Sequence, residues 1–265
     1  MKEYISSNRK FTQFSLFLFI IFGVNIVSAY SQQMPKMDMG VDTLPIQHKV
    51  KMDMKNPMML PMAFFTHMGM PLNVGTYGLR IAALSTKNEG KSNTEFNFQF
   101  ETGLSKTVGL FLGGQGLFND ATLEAMFQFL VLKSKNGMNG FSPIIEFEFP
   151  LGKEAKRKVY TLVGFATTLS NSQIAFNQVL HYSPLEDLAE GSASLVFKAS
   201  KRVFIVTEIS GVTEKNARPI SNLLLGVKVK INNSFFLGLA YQLPLTTNRD
   251  YVSQYVFQPN VMFQK

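Results

Sequence analysis

The sequence predicts an all-β fold: an antiparallel up-and-down transmembrane β-barrel of about twelve strands. Three observations predict it. The N-terminus has the features of an export signal, the composition is apolar and rich in phenylalanine without a second long apolar run, and period-2 alternation recurs from Gly75 to the C-terminus.

The first 29 residues read as a cleaved secretory signal peptide. Lys2, Arg9 and Lys10 form a basic start, Phe14 to Val27 an apolar stretch, and Val27-Ser28-Ala29 a small-residue cleavage end. The apolar stretch falls short of the ~20 residues that a spanning helix needs. Cleavage near Ala29 removes three basic residues and one acidic residue, which lowers the formal net charge from +8 to +6. That excess comes without a basic helix or patch, so nucleic acid is not expected as a partner. The chain has no cysteine, which excludes disulfides, zinc–thiolate sites, a thiol nucleophile and a lipoprotein anchor.

Charged residues make up 17% of the chain against a typical ~25%, a shortage that suits a surface facing lipid. Residues 75–265 are expected to form the barrel, because strands can cross a bilayer only when their backbone groups are satisfied by closure. The clearest strand is Asn93–Glu101, where Phe96, Phe98 and Phe100 alternate with Glu95, Asn97, Gln99 and Glu101. A period of 2 sets phenyl rings on one face and polar groups on the other. Ser142–Phe149, Leu223–Ile231, Phe235–Leu243 and Thr122–Lys133 repeat the pattern. Weaker alternation marks Thr76–Leu84, Thr107–Phe118, Val159–Leu169, Gln173–His181, Ser192–Lys198, Val203–Thr213 and Tyr251–Phe263. Short turns are expected at 104–106, 200–202 and 232–234. Longer loops at the opposite end are expected at 85–92, 182–191 and 214–219. A soluble β-sandwich is the competing fold, and the apolar faces repeated across most strands favour the barrel.

Between signal and barrel, residues 30–74 form a Met- and Pro-rich periplasmic leader or plug. Ten of the fourteen methionines lie between Met34 and Met70, and Lys-Met-Asp-Met occurs twice. Thioethers select soft ions, Cu(I) above all, and Met-x-Met spacing lets two sulfurs reach one ion. The candidate ligands are Met37, Met39, Met52, Met54, Met58, Met59, His67, Met68 and Met70. Adaptable packing of methionine at the barrel mouth is the competing reading. No cofactor is required, and Cu(I) is the ion this segment would take.

No catalytic residue is assigned, and the chain is not expected to be an enzyme. His181-Tyr182-Ser183 lacks a recognisable base-orienting partner and reads as an exposed loop. Glu95, Glu101, Glu124, Glu146, Glu148 and Glu208 are expected to face the lumen with Lys198, Lys228 and Lys230. There they would either pair with one another or tune the selectivity of a pore.

The stretch Pro61 to Pro71, leading into Gly75-Thr76-Tyr77-Gly78-Leu79-Arg80, resembles the entry segment of outer-membrane barrels related to those of the MetA pathway of phenol degradation. The turn Thr102-Gly103-Leu104-Ser105 before Val108-Gly109-Leu110 is similar to that family's inner turn, and Phe263 to the terminal aromatic read by outer-membrane assembly machinery. Gln264 and Lys265 following Phe263 depart from the pattern. The resemblance implies a transporter-like barrel that handles a small solute or metal ion, associated in some members with copper. A metal-binding envelope protein anchored by the barrel and a lipid-modifying barrel enzyme are the alternatives.

Overall fold

Alternation over some ten residues commits each segment to a strand with two unlike faces, and twelve such strands can satisfy their edges only by closing on themselves. The computed structural model describes residues 60–88, 91–117, 121–135, 137–151, 159–215, 217–247 and 251–265. The expected signal peptide and most of the expected Met-rich leader therefore lie outside the described residues.

The barrel starts with β1 (Thr76–Asn88), β2 (Lys91–Gly103), β3 (Val108–Leu117), β4 (Thr122–Phe129), β5 (Leu132–Lys133) and β6 (Gly140–Pro150). It continues through β7 (Tyr160–Ser170), β8 (Ile174–Ser183), β9 (Leu188–Lys198) and β10 (Val203–Glu214). The last strands are β11 (Ile220–Lys230), β12 (Phe235–Pro244) and β13 (Ser253–Gln264). β4 and β5 both pair with β6 and are two pieces of one strand interrupted at 130–131, so the sheet is a closed twelve-strand antiparallel barrel. β1 and β13 close the ring, with Thr76 opposite Gln264 and Tyr77 opposite Phe263. Every sequence-predicted strand is present.

The short turns at 104–106, 200–202 and 232–234 and the loop at 214–219 lie where expected, and two of the expected long loops are shorter than predicted. β1 and β2 stay paired to Asn88↔Lys91, so 85–92 is mostly ladder. β8 and β9 likewise pair to Ser183↔Leu188, so only four residues separate them. Strand ends that protrude beyond an apolar band are polar on both faces. Their alternation fades while their backbone hydrogen bonds continue.

The outer surface is apolar along the strands. Leu239, 60% exposed at the middle of β12, lies among Ile205, Leu225, Val227 and Phe257, all exposed. Close to the end where β1 begins and β13 ends, the Tyr77 ring stacks on Phe263 at 5.3 Å and on Phe100 at 6.1 Å. Apolar strand faces with aromatic residues at the border are what a barrel needs to sit in a bilayer.

The lumen contains an apolar core in addition to polar groups, and this corrects the simple polar-inside expectation. Ala82, Leu84, Val196, Phe204, Val206, Leu224, Phe236 and Val256 point inward and bury Ala63 and Phe64. These two belong to residues 60–74, which run through the lumen before β1. Gly75, at φ +77°, turns that segment into the first strand, a conformation that a residue with a Cβ adopts only under strain.

Candidate functional site

Residues 60–74 have no regular hydrogen-bonded partner strand, so their backbone groups must find partners on the barrel wall. Three consecutive amides, those of Phe64, Phe65 and Thr66, donate to the Glu208 carboxylate of β10, and the Thr66 hydroxyl adds a fourth donor at 3.2 Å. Opposite charges hold the carbonyls. Lys228 Nζ of β11 donates to Ala63 O at 2.8 Å and to Gln258 Oε1 at 2.8 Å, and lies 4.6 Å from the Phe64 ring centroid. Arg80 of β1 donates to Ala63 O at 3.2 Å and forms an ion pair with Glu101 of β2. Gln258 Nε2 donates to Phe64 O at 2.7 Å. Arg80, Glu101, Glu208 and Lys228 are all buried. Two cations and two carboxylates cancel, and each also binds the plug or a wall partner, which makes buried charge tolerable.

Further along the plug, Gln128 Nε2 donates to Met68 O at 2.7 Å, and Gly69 donates to Thr168 Oγ1 while accepting from Ser142 Oγ. Wall glycines make room for it. A Cβ at Gly238 would sit 2.8 Å from the Phe64 ring and one at Gly226 2.5 Å from it. A Cβ at Gly140 would collide with Met70 and one at Gly109 with Pro71.

Beyond the plug, toward the end away from the start of β1, is a chamber of about 750 Å³, lined at one end by Phe64, Phe65 and His67. Five carboxylates line it: Glu95, Glu124, Glu146, Glu148 and Glu190. Arg80 is its one lysine or arginine among the described residues. The lumenal charges thus divide by level. Those at the plug are paired, while those of the chamber are an excess of acid. Lys228 and Glu208 belong to the first group, and sequence reasoning had not separated them.

Of the nine candidate metal ligands, Met37, Met39, Met52, Met54, Met58 and Met59 lie outside the described residues. His67 packs edge-on against Phe111 at 4.8 Å with Gln99 Nε2 3.0 Å from its ring. Met68 is fixed through its carbonyl, and Met70 packs over Gly140 of β6. His67 therefore faces β2 and β3 while Met70 faces β6.

His181, expected in an exposed loop, instead lies within β8 and faces the chamber, with Nδ1 3.2 Å from Glu146 Oε2. Tyr182 points to the opposite face, where its hydroxyl meets Asp187. The three residues 181–183 do not converge. Arg80, Glu190 and the wall glycines were missed by sequence reasoning. A lone arginine in an otherwise apolar strand was the one available signal.

The fold and this occluded lumen define an architecture: a closed twelve-strand antiparallel barrel carrying an internal plug. No protein-family model matches the chain, and no curated protein matches it. Among solved structures, the chain is similar to a KdgM porin, with a TM-score of 0.55 and 7% identity over 71% of this chain and 99% of that one. It is also similar to the NanC porin, with a TM-score of 0.52 and 6% identity over 71% and 99% of the two chains. A COG4313 outer membrane channel from Pseudomonas putida F1 matches with a TM-score of 0.53 and 9% identity over 74% and 98%. These likenesses describe the fold.

Proposed function

We propose that the protein is an outer-membrane channel held shut by its own residues 60–74, with the chain termini on the periplasmic side and the acidic chamber open to the other. The observation that carries this reading is the plug itself. It is fastened through backbone amides and carbonyls to side chains of the wall, so it can be released without breaking the barrel's own ladder. The porin and channel barrels that share the fold support it. The excess of carboxylates in the chamber favours small cations over anions. Outer-membrane lipid is the surrounding solvent, and Phe263 is the aromatic offered to the assembly machinery. No catalysis is part of the reading.

The same proposal extends to soft metals. Met37, Met39, Met52, Met54, Met58 and Met59 precede the plug in the chain, and His67 lines the chamber next to it. Cu(I) captured by the thioethers would be delivered to the plug. The relation to the MetA-pathway barrels rests on residues 61–80, the plug and the start of β1. An envelope metal-binding protein that uses the barrel only as an anchor is the rival.

Planar-bilayer recording decides between them. Deletion of residues 30–73 is expected to give frequent, cation-selective steps where the intact mature chain gives few. Absence of steps in both would leave the anchor reading. For the soft-metal part, Cu(I) affinity of the mature chain is expected to fall when the leader methionines become leucine, and an unchanged affinity would remove it.

A further inference from the structure

Three carboxylates on two neighbouring strands meet in the chamber wall. Glu124 of β4 and Glu148 of β6 are directly opposed, and Glu146 is two residues along β6 on the same face. One carboxylate oxygen from each lies within 4.8 Å of the others. Inward-facing positions on β7 next to them are Leu162 and Gly164, with Gly164 opposite both Ile144 of β6 and His181 of β8. His181 reaches across β7 to Glu146. Glu190 of β9 is opposite His181 and adds a fourth carboxylate to the rim.

Like charges this close need a compensating cation or shared protons, and among the described residues the wall supplies no free lysine or arginine to them. Arg80 is engaged by Glu101 and the plug. Gln115 donates to Glu124, but Gln115 is neutral. The independent observation is Glu146, which is 6% exposed. Its Oε2 accepts no hydrogen bond, although His181 Nδ1 is 3.2 Å away, and His181 Nε2 is also without a partner. A carboxylate and an imidazole at that distance but out of line for a hydrogen bond are placed as two donors to one shared ion would be. Oxygen and nitrogen donors around a four-coordinate zinc ion at about 2.0–2.2 Å are separated by roughly 3.4 Å. His181 is outside the group of three that lie within 4.8 Å of one another, so Glu124 and Glu148 must turn toward the Glu146–His181 pair to complete that geometry.

We propose that Glu124, Glu146, Glu148 and His181 form a binding site for a divalent cation of intermediate softness, of which Zn²⁺ is the probe. Carboxylates alone would favour Ca²⁺ or Mg²⁺, and the imidazole shifts the preference toward transition metals. The site differs from the Met-rich segment in ligand chemistry. It also stands apart from the plug reading, since the appearance of conductance steps on plug deletion does not require these four residues to hold an ion.

The test is titration of Zn²⁺ into the full mature chain folded in detergent, followed by calorimetry and by thermal unfolding. One saturable site per chain is expected, with a rise in Tm that saturates with it. Glu146→Gln, which preserves shape, and His181→Ala should each lower affinity at least about tenfold, as loss of a ligand must cost no less than loss of its supporting partner. Both variants should keep the wild-type far-UV circular dichroism. Should either fail to fold, Glu148→Gln provides the same comparison. No saturable Zn²⁺ binding would mean that the carboxylates share protons instead, and would overturn the site. Binding of equal strength in Glu146→Gln would place the zinc elsewhere, and would overturn it equally.

Discussion

Replacing Glu208 by glutamine should open the plug without disturbing the barrel. Glu208 accepts from the amides of Phe64, Phe65 and Thr66 and from the Thr66 hydroxyl. Glutamine keeps one acceptor oxygen and presents an amide nitrogen to the donors that the other oxygen served. The contact from Thr66 N is lost, Phe65 N keeps only its longer contact to the other oxygen, the Thr66 hydroxyl must turn to accept from the new amide nitrogen, and the remaining contacts become neutral. Hydrogen bonds to a charged group contribute about 1.5–3 kcal/mol each, and released donors can be rehydrated in the lumen, so we take a net loss of about 3 kcal/mol. Lys228 and Arg80 would also lose half of the negative charge that balances them at this level. A change of 3 kcal/mol multiplies the population of released plug by on the order of a hundred. The chain has no cysteine, so Ala63→Cys, fully buried in the closed state, is a unique reporter. Its maleimide labelling rate tracks the open population when opening and closing are fast relative to labelling. Labelling should accelerate about a hundredfold in Glu208→Gln. A change of less than about threefold, worth under 1 kcal/mol, would refute the clamp.

Other substitutions probe the remaining parts. Gly238→Ala places a Cβ against the Phe64 ring, and overpacking of this kind costs about 1–3 kcal/mol; it should raise Ala63→Cys labelling, and Phe64→Leu should restore it. Leu239→Lys sets a charge at the middle of an outward-facing strand and should destabilise the barrel by about 2–4 kcal/mol in urea titrations in lipid vesicles, with a much smaller loss in detergent. In a plug-deleted background, the double change Glu95→Gln and Glu190→Gln should lower the cation-to-anion permeability ratio read from reversal potentials, because it removes two of the five carboxylates lining the chamber.

The strands with clear alternation and those with weak alternation differ for a physical reason. β2 reads cleanly because its inward side chains, Glu95, Asn97, Gln99 and Glu101, meet the chamber or the ion pair at Arg80. β10 reads poorly because Phe204 and Val206 face the plug's Phe64 while Ile205 and Ile209 face outward, so both faces are apolar. The same holds for β1 at Ala82 and Leu84 and for β9 at Val196. On these strands the weak alternation reflects the plug; β11 and β12 face it as well, and keep their alternation because Gly226, Lys228 and Gly238 are interspersed with Leu224 and Phe236 on that face. Glycines in strand interiors carried the same information. Gly226 and Gly238 fit a phenyl ring, whereas Gly164 leaves room for the Leu180 backbone of β8.

The sequence by itself determined an all-β chain, its strand number to within the break at 130–131, and which face of most strands points outward. Those properties follow from a local period of 2 and from composition, and each strand carries its own evidence. The tertiary structure alone decided that residues 60–74 lie inside the lumen. It also decided that Arg80 and Lys228 neutralise Glu101 and Glu208, and that Glu124, Glu146, Glu148 and His181 come together. Those pairings depend on register between strands and on closure of the ring. A one-residue slip would turn every one of these side chains to the opposite face, and no local pattern encodes register across strands that are distant in sequence.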